Sequence, residues 1–340
     1  MKVYQLTSPP TIDGMKIVDG AERDPGPNEV VVRVKAVSLN YRDFLMVNGL
    51  YPLGRDYAGV IPCSDGAGEV VAVGAKVTRV SPGDRVAGMF MQGWQSGSVT
   101  PETARTALGG EIDGMLAEQV VLHEDGLVTL PAHLSFEEGA CLPCAAVTAW
   151  NGLMMAGALK PGDTVLLQGT GGVSVFGLQF AKAAGARVII TSSSDAKLER
   201  ARALGADATV NYRTNPEWQT EVRDLTGGRG VDQVIEVGGA GTLIRSMQAT
   251  RMGGHISVIG VLTGMATVDP WQLIGGILFN NLKIIGIFVG SREMFEAMNR
   301  AITQHAIHPV IDRTFSFDQA REAIHCLQQA GHFGKIVIKV

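Results

Sequence analysis

From Thr164 to Phe288 the chain alternates short apolar runs with helical patterns: TVLLQ, the helix FGLQFAKAAG, RVIIT, the helix AKLERARALG and ATVNY, then VDQVIEV, HISVIGV and LKIIGIF with helices between them. Strands that are apolar along nearly their whole length have both faces buried. Parallel strands need a crossover between them, and a helix is the usual one, so this order predicts a parallel sheet covered by helices on both sides. No composition figure constrains the fold as tightly.

The rest of the chain reads differently. EVVVRVKAVSLN, AGEVVAVGAKV, DRVAGMF and LAEQVVLH are short β segments separated by turn residues, which predicts a mostly β domain over the first 130 or so residues. After Phe288 come the amphipathic helix SREMFEAMNRAITQ, the β-like DRTFSF, another helix and a last strand, KIVIKV. That tail is expected to return to the first domain. A chain of 340 residues exceeds what one core usually organises, so the expected division is 1–145, 146–287 and a return segment 288–340. The fold class is α/β.

A net charge of −4 with no basic block leaves no electrostatic footprint for nucleic acid or for an anionic membrane surface. The stretch MKVYQLTSPP lacks the charged and apolar regions of a signal peptide, so the expected location is cytoplasmic. The longest apolar tract, LIGGILFNNLKIIGIFVG at 273–290, is broken by Asn280, Asn281 and Lys283 and reads as a buried helix followed by a buried strand, not a membrane span. The four cysteines, Cys63, Cys141, Cys144 and Cys326, are too few for a disulfide framework. CLPC at 141–144 has no second CxxC to complete a four-thiolate metal site and reads as packing. None of the seven histidines shows ligand spacing; His305 and His308 are placed at a helix end facing solvent.

The strand VLLQ runs directly into GTGGVSVFG and then into a helix, the context in which a glycine-rich loop binds a dinucleotide. Gly169 allows the tight turn and Gly171 lets the backbone approach a pyrophosphate. Gly172 and Val173 open the helix, whose free N–H groups and dipole favour an anion. The third glycine of the pattern is replaced by Ser174. At the end of the next strand, where an NAD binder places a carboxylate, stand Ser192, Ser193 and Ser194. Their hydroxyls suit a 2′-phosphate, with Lys197 to neutralise it and Tyr212 to pack or bond against it, so NADP is the expected cofactor. NAD stays open through Asp195 as the ribose acid, as does a capping role for the serines.

The order of NYRDF at 40–44, GAGEVVAVG at 66–74, PGDRV at 82–86, LPCAAVTAW at 142–150, the GTGGVS loop and GHFGKIVI at 331–338 resembles the medium-chain dehydrogenase/reductase superfamily, and within it the zinc-independent branch that includes quinone oxidoreductases. The resemblance spans nearly the whole chain. It implies a GroES-like catalytic domain built from both chain ends, a Rossmann domain between them and an active-site cleft where they meet.

In the zinc-binding branch the ion is held at positions that match Asn40, Ser64 with Asp65, and Cys144 here. Zinc catalysis needs about three converging thiolate, imidazole or carboxylate ligands, so no metal is expected. The resemblance further implies that Asn40 and Tyr51 face the substrate as hydrogen-bond donors, with Ser64 and Asp65 behind them. Tyr41 and Arg42 rank with that second pair, and Arg42 and Asp43 are alternatively an ion pair or a loop network. Thr148, Ile259, Gly260, Val289 and Gly290 are expected beside the nicotinamide, and Lys335 near the cofactor.

Hydride transfer without a metal favours acceptors whose charge is already delocalised onto oxygen. The expected function is therefore NADPH-dependent reduction of a quinone, enone or reactive carbonyl. A metal-free NAD(P)-dependent alcohol dehydrogenase and a non-catalytic nucleotide-binding protein are the alternatives. The segment 89–115 is expected to form part of the pocket or a surface lobe. A homodimer through a Rossmann-sheet edge, VIGVLTG to LKIIGIF, is implied by resemblance.

Overall fold

The computed structural model describes residues 1–51, 57–264 and 266–340. Among these, six strands lie parallel in the order Ala208–Asn211, Arg187–Ser192, Thr164–Leu167, Val231–Glu236, Thr250–Val258 and Lys283–Gly286. Counted along the chain this order is 3-2-1-4-5-6. The winding reverses between Thr164–Leu167 and Val231–Glu236, and both of these strands are buried at every residue. Such a reversal leaves the loops after the two strands diverging at their carboxyl ends, where nucleotides bind in open parallel sheets. These strands belong to a unit spanning Thr148–Val289, and Met1–Val147 with Gly290–Val340 form a second unit.

The tract 273–290 departs from its predicted burial. The helix Pro270–Phe279 buries only Gly275, and Trp271, Ile274, Leu278 and Phe279 are exposed. The strand Lys283–Gly286 is the outer strand of the sheet and is largely exposed, Ile285 included. Apolar composition signals burial within one chain only where neighbours cover the element, and this edge strand has a partner on one side alone.

In the other unit the long strand Glu29–Ser38 is the hub. It pairs antiparallel with Asp65–Val73, with Gln119–His123 and with Lys335–Lys339. The sheet continues through Arg85–Gly88 to Leu127–Thr129 on one side and through Lys335–Lys339 to Ile311–Ser316 on the other. Ser38 is thereby the register partner of both Asp65 and Val337. One end of three strands, remote in sequence, meets at Ser38–Asn40. Beneath them Val30, Val32, Met46, Cys63, Met115, Ile324 and Ile338 form a buried core.

The segment 89–115 is less of a surface lobe than expected. Met89, Phe90, Met91, Trp94, Leu108 and Met115 are buried, and Met91 bridges to Ala107. Residues 96–102, Arg105, Ile112 and Asp113 are exposed.

Candidate active site

The strand Thr164–Leu167 delivers the chain into Gly169, whose φ of +68° is a left-handed conformation that glycine adopts without strain. Gly171 caps the helix Gly172–Ala183 with φ −77°, which any residue can adopt. A Cβ built on Gly169 or on Gly171 would meet nothing within 4 Å. Packing within the chain therefore gives no reason for glycine at 171, and the open space lies over the free N–H groups of a helix start. That is the geometry of an anion cradle.

The third glycine position is solved another way. Ser174 is buried and its Oγ donates to the carbonyl oxygen of Gln168 at 2.5 Å, holding the helix start against the end of the strand. Close helix-to-strand packing falls instead at Gly177, where a Cβ would stand 3.0 Å from Leu167 Cδ2. The sequence pattern contains Gly177, but its spacing from the loop concealed this role.

Two residues absent from the sequence-based candidates organise the loop. Gln168 donates from Nε2 to Glu236 Oε2 at 2.7 Å. Glu236 is fully buried at the end of Val231–Glu236, and also accepts from the N–H groups of Gly238 and Gly239, from Thr242 Oγ1 and from Ser246 Oγ. The signal was present in VIEVGG, since a carboxylate closing an apolar strand needs donors and the two following glycines supply N–H groups.

At the carboxyl end of the neighbouring strand Arg187–Ser192, on the loop's side of the sheet, Ser192 is buried and Asn211 is its register partner. Tyr212 follows, half exposed, with its N–H on the Ser192 carbonyl at 3.1 Å. Ser193 and Ser194 lead into the helix Asp195–Ala203, and Lys197 lies in its first turn. The structure thus brings Ser192, Ser193, Lys197 and Tyr212 to one end of two adjacent strands. Ser194 occupies the cap position without a capping bond from its side chain, and Asp195 accepts from Asn211 Nδ2 at 2.7 Å. Ile259 and Gly260 follow Thr250–Val258 and donate their N–H groups to the Glu236 carbonyl. Gly260 has no room for a side chain, a Cβ there falling 2.1 Å from the Val237 carbonyl oxygen. Thr148 is buried. Val289 has φ +59°, a strained conformation for a β-branched residue, and its carbonyl accepts from Asn151 Nδ2 at 2.8 Å.

In the other unit, the meeting point at Ser38–Asn40 carries a buried polar chain. Lys335 Nζ donates to the Leu39 carbonyl and to Asn40 Oδ1, each at 2.6 Å. Asn40 Nδ2 has a long contact of 3.5 Å to Ser64 Oγ, and Ser64 Oγ donates to Asp65 Oδ1 at 2.7 Å. The other oxygen of Asp65 accepts the N–H of Cys144 at 2.9 Å. Asp43 accepts the N–H of Asn40 at 2.8 Å and that of Ser64 at 3.3 Å. Of the two arrangements considered for Arg42 and Asp43, the loop network is the one found. Arg42 donates to the Leu108 carbonyl and lies over the rings of Phe90 and Tyr51, at 4.7 and 5.2 Å. Tyr51 packs its ring on the core edge.

Burial governs the electrostatics here. It pushes the Asp43 carboxyl up to about 6, assisted by the nearby Asp65, against the N–H of Asn40. Burial also raises Asp65, against the positive charge of Lys335 and the hydrogen bonds of Asn40 and Ser64. The Cys144 thiol is driven well above its ordinary value by burial and by Asp65, the reverse of what a thiolate ligand or nucleophile needs. Among the described residues no three His, Cys, Asp or Glu side chains gather as a metal site would require. The amine of Lys335, expected near the cofactor, is committed to Leu39 and Asn40. His308 is exposed but bound to Glu138 at 2.7 Å, so it is not simply solvated.

Residues 26–132 match the family described as alcohol dehydrogenase GroES-like domain, and residues 172–304 the family described as zinc-binding dehydrogenase. A zinc-type alcohol dehydrogenase-like protein of Schizosaccharomyces pombe is 47% identical over 317 residues, spanning 92% of this chain and 91% of that protein. A solved structure called NAD-dependent alcohol dehydrogenase superposes with a TM-score of 0.89 at 34% identity, covering 100% of both chains. Crotonyl-CoA reductase of Streptomyces collinus is 32% identical over 357 residues, spanning 92% of this chain and 78% of that protein. The glycine loop at the sheet reversal, the GroES-like sheet and these matches make the chain an oxidoreductase of the medium-chain dehydrogenase/reductase superfamily.

Proposed function

We propose that this chain is an NADPH-dependent reductase of quinones, enones or reactive carbonyls that works without zinc. The observation that carries the reading is the buried chain Lys335–Asn40–Ser64–Asp65, in which Asn40, Ser64 and Asp65, together with Cys144, are the residues that by resemblance match the zinc-ligand positions. An amide, a hydroxyl, one carboxylate and a protonated thiol are a poor zinc set, and the lysine amine among them is a competing cation. Of these groups the Asn40 amide is the donor suited to a developing oxyanion.

Bound NADPH supplies the hydride. Gly169, Gly171 and the helix start hold its pyrophosphate, while Ser192, Ser193, Lys197 and Tyr212 receive the 2′-phosphate. Asn40 donates to the acceptor oxygen, with Tyr51 beside it. A conjugated acceptor needs only such donors because its oxygen shares the charge over several atoms. The relationship to a crotonyl-CoA reductase supports an acceptor of that kind.

A second reading, an NAD-dependent alcohol dehydrogenase, has its own support in Asp195 at the helix start and in the structural relative called by that name. The rate of NADPH absorbance loss with a small quinone, an enone and an aldehyde, each repeated with NADH and with a strong chelator, separates the two. Chelator-insensitive oxidation of NADPH by quinone or enone is the expected result. Activity confined to alcohol–aldehyde couples with NAD(H) would transfer the assignment to the second reading, and loss of activity to the chelator would overturn the metal-free site.

The exposed strand Lys283–Gly286, with the bare apolar face of Pro270–Phe279 beside it, supports pairing with a second copy of the chain. An unpaired edge presents N–H and C=O groups that an identical edge can satisfy.

A further inference from the structure

We infer that Lys335 is a positioning residue: its buried amine locks the side-chain amide of Asn40 so that Nδ2, never Oδ1, faces the substrate oxygen. The inference deepens the proposed function and rests on the reading of Asn40 as the donor there.

An asparagine amide can turn over by 180°, exchanging a donor for an acceptor in nearly the same volume. At a site that must stabilise negative charge on oxygen, the wrong orientation presents a lone pair and repels it. A lysine ammonium has three donors and no acceptor, so whichever amide atom lies 2.6 Å from Lys335 Nζ must be the oxygen. The lysine is itself held. Its backbone N–H donates to the Val310 carbonyl at 2.9 Å, and its amine also donates to the Leu39 carbonyl. Its side chain is buried, so water does not compete for those bonds.

Asn40 in turn is buried and starts the helix Tyr41–Val47, its N–H fixed by Asp43. With Oδ1 occupied, Nδ2 keeps a contact of 3.5 Å to Ser64 Oγ, beyond the usual length of a strong hydrogen bond. The same amide group also hydrogen-bonds the Asp65 carboxylate, and since Nδ2 carries two hydrogens the other is left for a substrate oxygen. The charge of Lys335 also sits beside Asp65 and reduces the field of that carboxylate at a site where anionic charge develops. Removing the lysine would release Oδ1, leave the amide oriented by Asp65 alone and leave Asp65 uncompensated, without touching the glycine loop.

The test compares Lys335→Met and Lys335→Arg with the natural protein in three measurements: kcat and KM with the best acceptor, NADPH dissociation constant by fluorescence, and the Asn40 side-chain amide pair in protein labelled with 15N-asparagine, assigned by Asn40→Ala. For Lys335→Met the expected result is a fall in kcat on the order of tenfold or more, since one oxyanion donor is lost for part of the time. NADPH affinity should stay within about twofold, and the amide protons of Asn40 should exchange faster with solvent. Lys335→Arg should recover part of kcat. It also serves as the test variant if Lys335→Met fails to fold, with a smaller change in the same directions.

A large loss of NADPH affinity with the Asn40 amide unchanged would overturn the inference in favour of a cofactor contact. Unchanged kcat and unchanged amide exchange in a folded variant would overturn it as well. Should the natural protein reduce none of the acceptors, the proposed function fails, but the amide exchange still decides whether Lys335 holds Asn40.

Discussion

Glu236 accepts a hydrogen bond from Gln168 across the two central strands of the parallel sheet, at the point where the winding reverses. Gln168 precedes the glycine loop and Glu236 precedes the next loop, so this pair ties together the two walls between which a dinucleotide lies in such sheets. Gln168 uses its other end as well, Oε1 accepting the N–H groups of Val237 and Gly238 at 3.2 and 3.3 Å.

Replacing Glu236 by alanine removes an acceptor shared by five donors, of which Gln168 Nε2, Gly238 N–H and Thr242 Oγ1 keep a second partner while Gly239 N–H and Ser246 Oγ lose theirs. An orphaned buried donor carries its desolvation cost, so Glu236→Ala should lose about 3 kcal/mol of stability. Urea unfolding with and without NADPH checks this. The variant should also bind the nucleotide more weakly, and full stability would contradict the account.

Gly171 and Gly177 should respond in opposite ways to a side chain. Gly171→Ala meets no protein atom and adopts the same φ, so its stability should stay within about 1 kcal/mol of the natural protein while NADPH affinity falls. Gly177→Val collides with Leu167 and should cost about 1–3 kcal/mol by overpacking. Titration calorimetry and thermal unfolding on the two variants separate the roles. Unaltered nucleotide binding in Gly171→Ala would argue against the cradle.

Asp43 makes stability pH-dependent in the unusual direction. Its folded carboxyl titrates at about 6 because burial disfavours the charge, whereas in an unfolded chain it titrates near 4. Between those values the folded state holds a proton that the unfolded state has lost, so this group's contribution decreases as pH rises from about 4 to about 6 and is level above. The two-unit gap corresponds to about 2–3 kcal/mol. Across that range the urea midpoint of the natural protein should fall relative to that of Asp43→Asn as pH rises, and parallel curves would contradict it.

Asn40→Ala should lower kcat with quinone or enone acceptors by about 10²-fold, the scale of one oxyanion donor, while leaving NADPH binding intact. Stopped-flow turnover together with fluorescence titration reads both. A change confined to KM would mean that Asn40 only binds the ground state.

Leu278→Glu combined with Ile285→Lys should convert a dimer into monomers by placing charge on the open edge, read by light scattering. A natural protein that is already monomeric at tens of micromolar would contradict pairing through this edge.

The alternation of apolar strands and helices, the glycine loop and the serines in place of an acid were legible from the residues alone, because each is a local pattern of period, size or charge. The likeness of NYRDF, GAGEVVAVG and GHFGKIVI to a known superfamily was equally readable. Local patterns do not say which distant segments meet. Lys335 and Asn40 are separated by 295 positions, and only the antiparallel pairing of the last strand with Glu29–Ser38 brings the amine to the amide. Glu236 and Gln168, 68 positions apart, depend in the same way on which two strands become neighbours at the reversal. The tract 273–290 shows the converse: its apolarity was plain in the sequence, but whether a strand is central or an edge is settled by the number of partners it finds, which no property of its own residues specifies.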